Sequence, residues 1–171
     1  MQLSIRVHSN LLDLSLPRVM AIVNLTPDSF YISCNEKNEK HLLQHVEELL
    51  KQGADIIDLG ACSTRPNSTP ISIDEEWKRL RSALQAIRSH FPNAILSIDT
   101  FRSDIADKSL QMGADIINDV YGGRTDDKMW QVVAKHRVPY ILTHSQDVTH
   151  LYNATDYDQT STDLNKRFGA I

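Results

Sequence analysis

The 171-residue sequence is poor in cysteine, in net charge and in long apolar runs, and each shortage closes off a class of protein. Its two cysteines, Cys34 and Cys62, do not make a disulfide scaffold, and a chain of this length builds its own core without one. Both are read as reduced thiols without chemistry, because no neighbouring Cys or His completes a metal set. A formal net charge of -4, with Lys and Arg scattered among acidic residues, leaves no basic stripe to track a phosphodiester backbone. Nucleic acid is not an expected partner. Residues 1–20 mix Gln2, Arg6, His8, Asn10 and Asp13 into short apolar runs, so neither a signal-peptide pattern nor a membrane-spanning stretch is legible. The expected location is the cytoplasm, with no membrane partner. No internal linker breaks the pattern, and residues 1–171 read as a single domain.

From Val19 onward, short β-branched apolar runs alternate with longer stretches of helical period, the pattern of parallel strands joined by crossover helices. Strands are expected at 19–24, 55–60, 94–99, 115–119 and 139–144, most of them apolar enough to be buried on both sides. Before them, 3–7 and 11–14 flank His8-Ser9-Asn10 as a small hairpin that would close the bottom of a barrel. Leu42, Leu43, Val46, Leu49 and Leu50 share one face of a helix that Gly53 stops. A second helix opens on the capping-box spacing Ser72-Ile73-Asp74-Glu75 and carries Trp77, Leu80, Leu84 and Ile87 inward until Pro92. A third spans about 102–112 with Ile105, Ala106 and Leu110 inward, and a fourth starts near Thr125-Asp126-Asp127. The polar tail after His144 offers only 164–171 as the first turns of another helix.

Four such units fill the span from Val19 to Pro139, whereas eight make a (β/α)8 barrel of about 250 residues. The fold expected is therefore a TIM barrel truncated after about five strands; an open doubly wound sheet is the alternative. The barrel is preferred because the polar motifs all fall at strand C-termini. These are Asn24-Leu25-Thr26-Pro27-Asp28-Ser29-Phe30, Ser63-Thr64-Arg65-Pro66, Ser97-Ile98-Asp99-Thr100 and Asn118-Asp119.

Asp99 and Asn118, from adjacent strands, suit a flat heterocycle: a carboxylate accepts two parallel N–H bonds from a 2-amino-pyrimidinone edge, and an amide adds a donor and an acceptor. Thr64 and Arg65 bring a hydroxyl and a planar cationic fork to one loop, a match for a carboxylate or phosphate. Plainer roles are open to each: Asp99 as a helix cap, Asn118 as a turn former, 24–29 as a turn on Pro27, Arg65 as a surface ion-pair partner. Their joint placement favours a site. His41 and His45 have the i, i+4 spacing of a metal pair but no third ligand, so zinc is not expected.

Met20 through Phe30 closely resembles the first signature of the dihydropteroate synthases, and Gly53-Ala54-Asp55-Ile56-Ile57-Asp58-Leu59-Gly60 running on to Ser63-Thr64-Arg65-Pro66 resembles the second. Ser97-Ile98-Asp99-Thr100 and Ile116-Ile117-Asn118-Asp119-Val120 follow in the same order, and the likeness covers residues 3–147. It implies a (β/α)8 barrel that joins 6-hydroxymethyl-7,8-dihydropterin diphosphate to 4-aminobenzoate in folate biosynthesis, releasing pyrophosphate with the help of Mg2+. By the same resemblance Asn24 would contact the metal and diphosphate, Asp99 and Asn118 would hold the pterin edge, and Thr64 would touch the diphosphate. Asp28 and Arg65 would belong to loops closing over the aminobenzoate, in a protein for which a homodimer is an admissible assembly.

The sequence departs from the family pattern at Ala61-Cys62, where Gly-Glu is usual, at Asn67 and at Thr143-His144-Ser145, where only the His of a Met-His-Met run is kept. The family's sixth-strand Asp, seventh-strand Ser-Arg-Lys segment and eighth-strand Arg-x-His have no counterpart, so the chain is expected to be the N-terminal part of such an enzyme. Two other readings stay open: a pterin-binding remnant that performs no condensation, and a pterin-dependent methyltransferase, against which the 26–30 and 63–66 loops argue.

Overall fold

A computed structural model describes residues 3–7, 10–25, 36–62 and 71–144. Strands β1 (Ser4–Val7) and β2 (Asn10–Asp13) pair antiparallel as the hairpin expected from 3–14. The rest is one parallel sheet, β3 (Met20–Asn24), β4 (Ile56–Gly60), β5 (Ile95–Asp99), β6 (Ile116–Asp119) and β7 (Tyr140–Leu142), in unbroken sequence order. Helices α1 (Glu36–Lys51), α2 (Ile73–His90), α3 (Ser103–Gln111) and α4 (Met129–His136) connect successive strands. A doubly wound sheet reverses its strand order at a switch point. This one never does, so the barrel-type winding holds and the open-sheet alternative falls.

The pleat sorts the strand residues onto two faces. Val23, Ile57, Leu59, Leu96, Ile98 and Ile117 meet Leu42, Val46, Leu80, Leu84, Ile87 and Ile105 of the helices in the main core. The opposite, inner face is apolar only at its base, where Val7, Ile56 and Ile116 bury with Ile5, Leu12, Met20 and Ile95, so that the hairpin plugs the foot of the sheet. Higher up, the inner face turns polar at Asp58, Ser97, Asp99 and Asn118. The expected burial on both sides holds at every position of β4 and at most positions of β5 and β6, and not for β3 or β7; the inner face owes its burial to apolar residues only in its lower half.

Two details of the helix starts differ from expectation. Ser72 does cap α2, its Oγ accepting from the Glu75 N–H at 3.2 Å, but the Glu75 carboxylate takes Arg79 at 2.9 Å. Asp126 serves two helices: its Oδ2 accepts from the Ser103 N–H at 2.8 Å and caps α3, while its Oδ1 accepts from the Lys128 N–H at 3.1 Å and its carbonyl from the Met129 N–H at 3.0 Å in the turn before α4, which starts at Met129. A carboxylate so placed also complements the α3 dipole.

The run Gly53-Ala54-Asp55-Ile56-Ile57 recurs as Gly113-Ala114-Asp115-Ile116-Ile117, and the two copies fold alike. Both glycines adopt left-handed φ, +99° and +93°, which turns the chain from helix to strand at no steric cost. Each aspartate then grips the strand next to it. Asp55 Oδ2 accepts from the Val19 N–H at 2.8 Å, and Asp115 Oδ2 from the Leu96 N–H at 2.8 Å. Each backbone N–H returns a bond to the carbonyl of the same residue, Val19 or Leu96. Arginines complete both copies, Arg18 on Asp55 at 3.0 Å and Arg88 on Asp115 at 2.8 Å.

The two arginines are not equal in burial. Arg88 also donates to the carbonyls of Pro92, Ala94 and Gly113, and its carboxylate partner is only 3% exposed, against 25% for Asp55. Removing one partner of a buried pair strands the other charge, whereas an exposed pair loses about 1 kcal/mol or less. Arg88→Met should therefore lower the unfolding free energy by about 3 kcal/mol and Arg18→Met by no more than about 1 kcal/mol, read as denaturant midpoints. Among the described residues β3 and β7 are the sheet's edges, and Ile22 on β3 is 65% exposed. Sedimentation velocity of the 171-residue chain should show self-association through these edges.

Candidate functional site

The register across the sheet places Asn24, Gly60, Asp99 and Asn118 in one row at the C-terminal ends of β3 to β6. Three of the residues singled out from the sequence are thus brought side by side, although they lie far apart along the chain. Gly60 makes the row usable. A Cβ at this position would stand 3.3 Å from Asp99 Oδ2 and 3.7 Å from Asn24 Oδ1, so its absence leaves the gap between amide and carboxylate open.

Two residues down each strand on the same face lie Asp58 and Ser97, opposite one another in register. Asp58 is 2% exposed, and its Oδ2 accepts a 3.0 Å hydrogen bond from Nδ2 of Asn118, two strands away. The small Ser97 on the strand between leaves room for that bridge. Burial pushes the Asp58 carboxyl up, against the opposing pull of the Ser97 hydroxyl nearby and the Asn118 amide. Oδ1 of Asp58, Oγ of Ser97 and Oδ1 of Asp99 are buried without a hydrogen-bond partner among the described residues. Buried polar atoms are nearly always paired, so three unpaired together mark a place where a ligand or water belongs.

Asp99 is pushed up to about 7, first by burial and then by the charges of Asp58, Glu76 and Asp119. It can therefore gain or lose a proton near neutrality, a property concentrated at functional sites. Its backing is a buried polar cluster. Glu76 of α2, 0% exposed, accepts from the Thr100 hydroxyl at 2.7 Å with Oε1 and from Arg102 with Oε2. Arg102 in turn donates to the Ile71 carbonyl at 2.8 Å, tying the approach to α2 onto the end of β5. Asp99 is no helix cap: Arg102 holds the N-cap place of α3.

Asn118 is not a turn former either; that work falls to Asp119. Its carboxylate accepts from the N–H groups of Tyr121 and Gly123 at 2.8 and 2.9 Å and from the Tyr140 hydroxyl at 2.7 Å. Gly122 and Gly123 both have positive φ, and a Cβ on either would lie within 3 Å of Thr143 O or the Trp130 ring. Asp119 is thus occupied in shaping the loop after β6, leaving Asn118 free to face the mouth.

The Cys62 thiol is raised above its ordinary range, first by burial and then by the Glu76 charge. Asp28, Thr64, Arg65 and Cys34 lie outside the described residues. What the sequence reading passed over is Asp58, Gly60 and Glu76. The first two were within reach, since 56, 58 and 60 share a face and the internal repeat aligns Asp58 with Asn118; Glu76 carried no signal in an otherwise ordinary helix start.

Known proteins show the same organisation. A folic acid synthesis protein of Pneumocystis carinii is 41% identical over 140 residues, which take in 81% of this chain and 19% of the relative. The dihydropteroate synthase of Bacillus subtilis is 39% identical over 128 residues, 75% of this chain and 45% of the enzyme. Among solved structures, the Xanthomonas albilineans dihydropteroate synthase with 4-aminobenzoic acid superposes with a TM-score of 0.82 at 30% identity, over 98% of this chain and 60% of that one. The Yersinia pestis dihydropteroate synthase, in complex with a sulfonamide drug, gives 0.81 at 33% identity with 98% and 60% covered. The chain thus spans less than half the length of the two curated relatives and about three fifths of the structures. Residues 20–170 match the profile of the pterin binding enzymes, and the chain belongs to that family.

Proposed function

We propose that this chain carries the pterin-holding half of a dihydropteroate synthase, which condenses 6-hydroxymethyl-7,8-dihydropterin diphosphate with 4-aminobenzoate and releases pyrophosphate. The observation that carries the reading is the row of Asn24, Gly60, Asp99 and Asn118, with a buried carboxylate oxygen on Asp99 that has no partner among the described residues. A flat 2-amino-pyrimidinone edge donating two N–H groups would satisfy that oxygen and its neighbour, and a ligand lacking them would leave a buried acceptor unpaired. We take residues 1–171 as one domain, the cytoplasm as its setting, and a homodimer as the assembly to test for.

The work of such a site is to bind and orient. Loss of pyrophosphate from the carbon attached to the pterin leaves a cation that the electron-rich ring stabilises, so the protein must hold the ring, direct the amine of aminobenzoate to that carbon and keep water away. Asp99 and Asn118 would fix the ring. Thr64 would hold the diphosphate, and Asp28 and Arg65 would cover the aminobenzoate. The Asn24 amide oxygen, exposed at the mouth beside the Gly60 gap, fits Mg2+, an ion that keeps several waters and shares phosphate oxygens instead of demanding a full protein cage. When bound, the ion would neutralise charge gathering on the departing pyrophosphate.

Two measurements test this. Calorimetry of the 171-residue chain with the pterin diphosphate, alongside a condensation assay with 4-aminobenzoate, should give pterin binding that Asp99→Ala weakens about 100-fold, the worth of a charge-assisted pair. Binding without turnover would confine the chain to holding pterin, and absence of binding would overturn the reading.

The second uses pH. Because the free Asp99 titrates near 7 and the bound ring needs its ionised form, affinity should rise between pH 6 and pH 8 and binding below 7 should release a proton. Stability of the free chain should run the other way. A carboxyl raised in the folded state binds its proton more tightly there, so its contribution falls as pH climbs from about 4 to about 7 and then levels. Asp99→Asn should flatten both profiles.

A further inference from the structure

An asparagine amide presents two chemically opposite ends, and a ligand can be read by it only if something fixes which end faces the ligand. At Asn118 that something is on the inner face: Nδ2 donates to Oδ2 of the buried Asp58 at 3.0 Å. Turning the amide over would set its carbonyl oxygen against a carboxylate oxygen. The neutral carboxyl keeps the same preference when its proton sits on Oδ1, which has no hydrogen-bond partner among the described residues. Asp58 itself cannot turn away, because it is 2% exposed and enclosed by β3 and β5 on either side, with Ser97 opposite it in register.

We propose that Asp58 is a specificity-determining positioning residue: by holding Nδ2 of Asn118 it turns Oδ1 of Asn118 toward the ligand as an obligate acceptor. The inference rests on the pterin reading above and deepens it. A site with an acceptor locked at Asn118 takes a ring edge that donates, such as the 2-amino group of a pterin, and rejects a ring with a carbonyl there, such as the 2-oxo ring of a lumazine. Asp99 alone is a weaker discriminator, since a carboxyl that titrates near neutrality accepts in one form and donates in the other.

The experiment measures dissociation constants of 6-hydroxymethylpterin and the matching lumazine for the wild-type chain and for Asp58→Asn, which keeps size but lets either end of residue 58 face Asn118. Wild type should prefer the pterin by on the order of 100-fold, and Asp58→Asn should cut that ratio to about 10-fold or less. Equal weakening of both ligands with the ratio unchanged would make Asp58 merely structural and overturn the proposal. Wild type that binds neither ring removes the pterin reading instead. A ligand-free measurement then judges Asp58 by itself, and also covers a variant that fails to fold. In the wild-type chain, one side-chain amide proton of Asn118 should be displaced downfield and slow to exchange by NMR, and two ordinary amide protons would overturn the assigned hold.

Discussion

A slip of one residue between β5 and β6 would turn Asn118 from the inner face into the helices and carry Ile117 the other way, dissolving the site and the core together. Register is the constraint on which the rest of the molecule depends, and the chain fixes it where strands begin. Asp55 and Asp115 each chelate one residue at the foot of the preceding strand through carboxylate and backbone, Val19 just before β3 in one case and Leu96 of β5 in the other. Counting up from those anchors, the pleat delivers Asn24 beside Gly60, and Asp99 beside Asn118, with no further instruction. The foot of the sheet thereby decides the composition of its mouth.

Stability and reactivity are consequently stacked along the same strands. The lowest inner layer is apolar and sealed by the hairpin, the layer of Asp58 and Ser97 is buried but polar, and the row of Asn24, Asp99 and Asn118 opens at the top. Several acidic groups are gathered there at a cost, visible in the upward shift of Asp99. On the helix side the strands present hydrocarbon, Val23, Ile57, Leu59, Leu96, Ile98 and Ile117, until the buried Asp119 at the end of β6. Glu76 belongs to neither scheme. It reaches the end of β5 from α2, saturated by Thr100 and Arg102, and so adds negative potential behind Asp99 without being exposed to a ligand.

Internal repetition gives the half-site a history written in its contacts. The two Gly-Ala-Asp-Ile-Ile copies place Asp58 and Asn118 at equivalent positions, yet one ends up buried and the other at the mouth, joined by a hydrogen bond across β5. A carboxylate and an amide at matching positions are complementary, whereas two carboxylates would repel and two amides would leave orientation undecided. The difference of one side-chain atom between Asp and Asn is what turns a symmetric framework into a directional one.

The sequence by itself determined the strand and helix succession, the hairpin, and Asn24, Asp99 and Asn118 as mouth residues, because periodicity and strand-end position are local properties that a linear pattern records. Asp28, Thr64 and Arg65 were legible as motif residues by resemblance alone. Only the tertiary structure decided that Asp126 caps the neighbouring helix, that Gly60 serves by the volume it leaves empty, that Glu76 stands behind Asp99, and that Asp58 orients Asn118. Each of these is a relation between residues on different strands or helices. Its physical basis is burial and close approach once strands and helices have packed, which no spacing along the chain encodes.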